Sequence, residues 1–241
     1  MNSIIFYLFI FFFISLSHLS WSQDVQLYGL LPAVLVKKNV NERTDFALGL
    51  SSEMNTISKS TPTHNFPAQV LNFNLETLLS INLNPNVNLA GGFLFRLRNP
   101  LNDLNTELRP WQQLTTIHRI EQFRIRNRFR AEQRWVAAGD RGNYDFDLRL
   151  RYRISTDFPL EGTRLDNREF YLNLSLAAHL TPTAHRPFYF WECRANAGLG
   201  YKISDFHRLE PALELRSRRM DEAGNRRNFL FLRITWIVEV K

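Results

Sequence analysis

Cysteine is almost missing from this chain. Cys193 stands alone, so no internal disulfide can staple the fold, and closure must come from hydrogen bonding and packing. Beyond the first two dozen residues no apolar run approaches the roughly 18 residues that a membrane-spanning helix needs. Any crossing of a bilayer would have to be made by strands closed into a barrel, the other structure that satisfies its own backbone in lipid. Catalytic signatures are lacking too. The one His-x-Ser spacing, which on a strand would set base and nucleophile on the same face, is His18-Leu19-Ser20, inside the amino-terminal segment. His179-Leu180-Thr181 imitates it, but a histidine satisfied inside the fold is the expectation there. His64, His118, His185 and His207 lack metal-ligand spacing, and no glycine-rich phosphate loop follows a strand. No enzyme, cofactor or metal is expected.

What is present begins with an export signal. MNSIIFYLFIFFFISLSHLSWSQ holds an apolar stretch from Ile4 to about Leu16, followed by Ser20-Trp21-Ser22, a small-x-small cleavage pattern before Gln23. Residues 1–22 read as a secretory signal. Because that segment carries no Asp, Glu, Lys or Arg, the remainder keeps the whole formal charge of +7. A basic balance ordinarily hints at nucleic acid or anionic surfaces. For an exported chain nucleic acid drops out, and the question becomes which face carries the charge.

The answer lies in a strict period of two. FRIRNRFRAEQRW sets Arg124, Arg126, Arg128, Arg130, Glu132 and Arg134 on one parity against Phe123, Ile125, Phe129, Ala131 and Trp135 on the other. Successive side chains of a strand point to opposite faces, so this is a strand with two unlike environments. NYDFDLRLRYRIS repeats the pattern, with Asp145, Asp147, Arg149, Arg151 and Arg153 against Tyr144, Phe146, Leu148, Leu150, Tyr152 and Ile154. REFYLNLSLAAHL sets Glu169, Tyr171, Asn173 and Ser175 against alternate apolar residues, and the last strand alternates Leu230 to Val240 against Arg233, Thr235 and Glu239. Weaker versions cover QVLNFNLETLLSI and NVNLAGGFLFRLR.

Strands are expected near 43–54, 69–82, 86–98, 111–121, 123–136, 143–155, 168–181, 189–203, 206–218 and 228–240. They exceed the usual length of about five or six residues and match tilted strands crossing a bilayer. Tight turns at 84–86 and 204–205 alternate with longer polar loops at 55–68, 99–110 and 219–227, the habit of outer-membrane barrels. Residues 156–167 break the alternation, which implies a misplaced strand or a docked element. The expected fold is all-β, a single antiparallel up-and-down transmembrane β-barrel of about ten strands over residues 43–241. Residues 23–42 form an extended segment before it. If VQLYGLLPAVLVK divides at Gly29 to Pro32, the number becomes twelve; eleven conflicts with both chain ends lying on one side. Trp111, Trp135, Tyr144, Tyr189, Trp191 and Tyr201 near strand ends read as an interfacial aromatic girdle.

The run WQQLTTIHRIEQFRIRNRFRAEQRW followed by YDFDLRLRYRIS resembles the DUF2490 family of exported proteins of Bacteroidetes and other Gram-negative bacteria, most sharply over residues 111–155. The resemblance implies an outer-membrane barrel and brings no catalytic motif and no biochemical role.

In such a barrel the apolar parity would face lipid. The lumen would receive the arginines of 124–134 and 149–153 with Arg194, Arg216 and Arg218, and the carboxylates Glu132, Asp145, Asp147, Glu169, Glu192, Glu210 and Glu214. Paired carboxylates such as Asp145 with Asp147, or Glu210 with Glu214, could hold Ca2+ or exchange protons; ion pairing with arginines of the same parity is expected to occupy them. Small barrels are filled by their own side chains. The leading function is therefore a closed outer-membrane protein that is a structural or assembly partner, in contact with outer-membrane lipid and other outer-membrane proteins. A narrow anion-preferring pore comes second, and a soluble periplasmic lipocalin-like barrel, apolar inside and charged outside, comes third.

Overall fold

A computed structural model describes residues 25–59, 68–120, 123–138, 143–183, 186–219 and 226–240. Eleven strands follow one another: β1 Val25–Asn39, β2 Thr44–Lys59, β3 Gln69–Asn84, β4 Val87–Arg98, β5 Asn105–Ile120, β6 Phe123–Ala138, β7 Asn143–Pro159, β8 Glu169–Thr183, β9 Arg186–Lys202, β10 His207–Arg219 and β11 Arg226–Val240. Each pairs antiparallel with its sequence neighbour, and β1 pairs with β11 to close the barrel. The expected strands are all found, several extended at their ends.

The number of strands is neither ten nor twelve. The segment before residue 43 does not divide at Gly29 to Pro32; it forms one strand, β1, whose register with β11 is parallel from Val25↔Arg227 to Lys38↔Val240. An odd meander brings first and last strands together running the same way, so β1 begins at the rim opposite the one where β11 ends. Two physical features hold β1 in place. Leu27 and Leu31 of β1 pack with Phe229 and Phe231 of β11 in a buried apolar cluster. Gly29 sits at a bulge between β1 and β2, where a Cβ would lie 1.9 Å from the Met54 carbonyl oxygen, so only glycine lets the strands approach so closely.

Connections at 40–43, 85–86 and 203–206 lie on one rim, which also receives residues 160–168. That longer connection is the anticipated docked element. Arg168 takes a positive φ of 67°, its backbone N–H donates to the Lys202 carbonyl at 2.6 Å, and Lys202 Nζ donates to the Leu165 carbonyl at 3.4 Å. The opposite rim carries the connection at 99–104 and the start of β1. The loop expected over 99–110 is shorter, because β5 starts at Asn105 and runs through Pro110.

Parity decides the rest. Outward positions include Phe46, Leu75, Phe93, Phe129, Phe146, Leu213 and Trp236, all exposed, whereas Glu107, Glu132, Arg149, Glu192, Glu214 and Arg216 are buried inside. The wall is apolar on its outer face and the interior is charged.

Candidate functional site

The interior is an ion-pair lattice, and its members are placed by the alternation of the strands. Glu107 on β5 is fully buried. It accepts from Arg109 Nη2 at 2.6 Å and from Arg134 Nε at 2.6 Å, and lies 4.0 Å from Arg96. Arg134 also reaches Asp147 at 2.8 Å. Arg109 reaches Glu132 at 3.2 Å, and Arg149 faces Glu132 at 3.8 Å.

A second centre forms on β9 and β10. Glu192 receives Arg194 and, at 2.6 Å, Arg218. Glu214 receives Arg216 at 2.5 Å and Arg233 at 3.3 Å. The two centres are joined across the lumen, since Arg216 Nη1 donates to Glu53 Oε1 at 2.9 Å and Arg96 lies 3.8 Å from the same carboxylate. Strands β10 and β2 are separated in the barrel by β11 and β1, so Arg216 to Glu53 is a chord rather than a neighbour contact. Asn72 Nδ2 donates to Glu53 at 2.7 Å and Asn74 accepts from Arg96 Nε at 2.6 Å. Charges removed from water are tolerable when most of their lone pairs and protons are used, and guanidinium, with five donors in a fixed fork, suits several carboxylates at once; Glu107 Oε2, Asp147 Oδ1 and Arg149 Nε are left without a hydrogen-bond partner among the described residues.

The lattice occupies the half of the barrel nearer the rim where β5, β7 and β9 begin. Toward the short-turn rim Asp45, Glu76, Asp157, Glu210 and Glu239 make separate contacts that do not join the lattice. Arg126 pairs with Asp157, and Arg130 donates to Glu76 and to Gln113, each at 2.9 Å. Arg208 meets Glu239 at 2.9 Å. Arg124 is exposed at the start of β6.

Of the residues expected in the lumen, the arginines of β6 and β7, with Glu132, Asp147, Glu192, Arg194, Glu214, Arg216 and Arg218, lie on inward parity. Asp145 lies on the same parity but at the exposed start of β7, without an ion pair among the described residues. Glu169 accepts from the Asp166 backbone N–H at 2.9 Å, and Glu210 accepts from the Tyr171 hydroxyl at 2.5 Å. Neither joins the lattice. No cluster of three or more His, Cys, Asp or Glu in a metal-holding arrangement occurs among the described residues.

The girdle needs one correction. Trp111 does not sit outside: it is 1% exposed, lies on the inward parity with Glu107, Arg109 and Gln113, and carries Arg130 over its ring at 3.7 Å. Gly92, directly across on β4, leaves the space its indole fills. Trp135 and Tyr201 are outward, resting against Phe146 and Phe170 at 5.2 and 4.7 Å, and Tyr144 is outward and exposed. The side chains of Tyr189 and Trp191 lie outside the described residues. Sequence reasoning passed over Glu53, Arg96, Glu107 and Arg109. The period-two pairs Arg96/Arg98 and Glu107/Arg109 were the available signal, obscured by Pro110.

This geometry defines a class, a meandering β-barrel with an apolar outer wall and a charged, self-paired interior. The chain belongs to the family described as protein of unknown function (DUF2490), whose sequence profile matches residues 33–227. No curated protein matches it.

Proposed function

We propose that the protein is an outer-membrane β-barrel that faces lipid with its apolar wall, is shut by its own ion-pair lattice, and acts as a structural or assembly partner of other outer-membrane components. The observation that carries this reading is the direction of polarity. Outside, Phe146, Leu213 and Phe129 are 60, 55 and 53% exposed, while inside Glu107 and Glu192 are 0% exposed. An apolar surface wrapping the whole barrel is unfavourable in water and suits hydrocarbon. The lipocalin-like arrangement would need the reverse polarity. Trp135, Tyr144 and Tyr201 near strand ends fit the two interfaces. With short turns toward the periplasm, β11 ends there and β1 starts at the outer rim.

The bridge from Arg216 through Glu53 to Arg96 argues for a closed lumen, because it runs across the interior from β10 to β4. Cell fractionation tests the location: recovery with the outer membrane and a heat-dependent gel shift are expected, and recovery wholly in the soluble fraction would overturn it. Planar-bilayer recording tests the closure. Silence is expected; a steady, ohmic, chloride-favouring conductance would replace the closed barrel with a narrow anion pore.

A further inference from the structure

Three adjoining lumen arginines on β6 and β7 are left over by the lattice. Arg128 on β6 and Arg151 and Arg153 on β7 all point inward, yet none makes an ion pair with a carboxylate among the described residues. Their placement compounds the imbalance. Arg128 stands directly opposite Arg153, and Arg130 directly opposite Arg151, and like charges facing each other across a strand pair are destabilising. The Nε groups of Arg151 and Arg153 are shut off from solvent without a hydrogen-bond partner. Arg153 donates from Nη2 to Ser175 Oγ at 3.0 Å.

A second observation comes from the next strand. His179 on β8 pairs in register with Arg151, is 1% exposed, and its Nε2 has no hydrogen-bond partner. Its Nδ1 lies 3.5 Å from Glu192. A buried ring nitrogen and two buried guanidinium nitrogens are thus unused on one stretch of the lumen wall, where buried polar groups are ordinarily satisfied.

The access route is basic along the β6 wall. From the short-turn rim the inward face of β6 presents Arg124, Arg126 and Arg128 in succession, with Arg119 opposite Arg124. Only Arg126 is neutralised, by Asp157. The facing strands carry acids at inward positions as well, but each has its own partner: Asp45 accepts from Asn82, Glu210 from the Tyr171 hydroxyl, and Glu239 pairs with Arg208. Beyond Arg151 the lattice closes the lumen. Cations left unpaired along one wall of the lumen concentrate ions of the opposite sign.

We propose that Arg128, Arg151 and Arg153, at the inner end of this basic wall, form a binding site for a phosphate-class oxyanion that enters from the short-turn rim. Planar guanidinium forks match the oxygens of such a group. A doubly charged anion offsets facing cations better than a single carboxylate, and its several acceptors can use the spare Nε and imidazole N–H donors. The site rests on the barrel interior alone and holds wherever in the cell envelope the protein resides.

The test uses the purified, folded full-length protein in detergent, titrated with inorganic phosphate against sodium chloride at matched ionic strength, with the thermal unfolding midpoint and phosphorus NMR line width as readouts. A saturable, phosphate-specific rise and broadening are expected. Arg151→Gln should weaken the apparent affinity about tenfold or more, while raising the midpoint in phosphate-free buffer because one facing cation is gone. Those opposite movements separate a ligand site from a structural arginine, whose loss would lower the midpoint in both buffers. Arg151→Lys, which keeps the charge and loses the fork, serves if the first variant fails to fold, and should also bind more weakly. Equal responses to phosphate and chloride, or unchanged phosphate affinity in both variants, would overturn the proposal. Short-chain phosphatidic acid added to the same micelles distinguishes sources: displacement of phosphate assigns the site to a lipid headgroup, and its absence to a free oxyanion.

Discussion

The guanidinium of Arg130 lies 3.7 Å above the centre of the Trp111 ring, inside the barrel, while the same arginine donates to Glu76 and Gln113. Trp111 is therefore the floor on which one lumen cation rests, and such desolvated contacts add to the ion pair. The indole has room because Gly92 faces it across β4 and β5.

Adding a single methyl at that glycine should be felt. A Cβ at position 92 would lie 2.3 Å from both the Thr77 carbonyl oxygen and Trp111 Cζ2, and one of these is backbone. Gly92→Ala should cost about 1–3 kcal/mol of stability through overpacking. Gly91→Ala, whose new Cβ meets only the Trp111 carbonyl oxygen at 3.8 Å, should be close to neutral. Unfolding midpoints in guanidinium chloride compare the two, and equal effects would contradict the inward placement of Trp111.

Glu107 is the carboxylate on which the first half of the lattice depends. Glu107→Ala would leave Arg109 and Arg134 without their 2.6 Å contacts in a region shut off from water. Breaking a buried pair from one side costs about 3–5 kcal/mol. Glu161→Ala, at an exposed position of the 160–168 connection, should be silent. Denaturant midpoints of the two variants against the parent check the contrast.

The parts of this arrangement that could be read from sequence are those whose cause is local. On β6 and β7 charged residues alternate with mostly apolar ones, Asn127 and Gln133 being the polar exceptions on the outer parity of β6, so a period of two fixes both the strand and its faces. Trp111 shows the limit of reasoning by residue type: a tryptophan at a strand end suggests an interface, whereas its parity with Glu107, Arg109 and Gln113 points inward. Pro110 made the start of β5 look like loop and concealed two lattice members. The parallel seam was hidden for a different reason. Pairing between Val25–Asn39 and Arg226–Val240 joins the two ends of the described chain, and nothing in either segment alone encodes the direction of its partner.

The lipid-facing assignment has its own mutational signature. Leu213 is central in β10 and 55% exposed on the outer wall. In a bilayer Leu213→Arg should cost about 2–4 kcal/mol if the site lies near the midplane. Leu101→Arg, in the connection at 99–104 and 73% exposed, should stay within about 0.5 kcal/mol. Folding titrations into lipid vesicles give both values, and a Leu213→Arg variant that folds as readily as the Leu101 variant would argue against lipid at that face.

The parallel seam can be tested by a cross-link that only an eleven-strand closure permits. Leu30 and Leu232 are register partners of β1 and β11 and are both outward, 40 and 42% exposed. Neighbouring strands lie about 4.8 Å apart, inside the Cα separation of about 4.4–6.8 Å that a disulfide spans. In a Cys193→Ser background, which removes the native thiol, Leu30→Cys with Leu232→Cys should therefore oxidise to an intramolecular disulfide in the folded protein. Leu30→Cys with Val238→Cys should not, because Val238 is opposite Val36, six positions along the strand and about 20 Å away. A ten-strand barrel would set β2 against β11 and leave position 30 without a fixed neighbour, so neither pair would be favoured over the other. Peptide mass mapping after mild oxidation distinguishes these cases: selective linkage of 30 to 232 requires the parallel register, and indiscriminate or absent linkage would mean that β1 does not close the barrel.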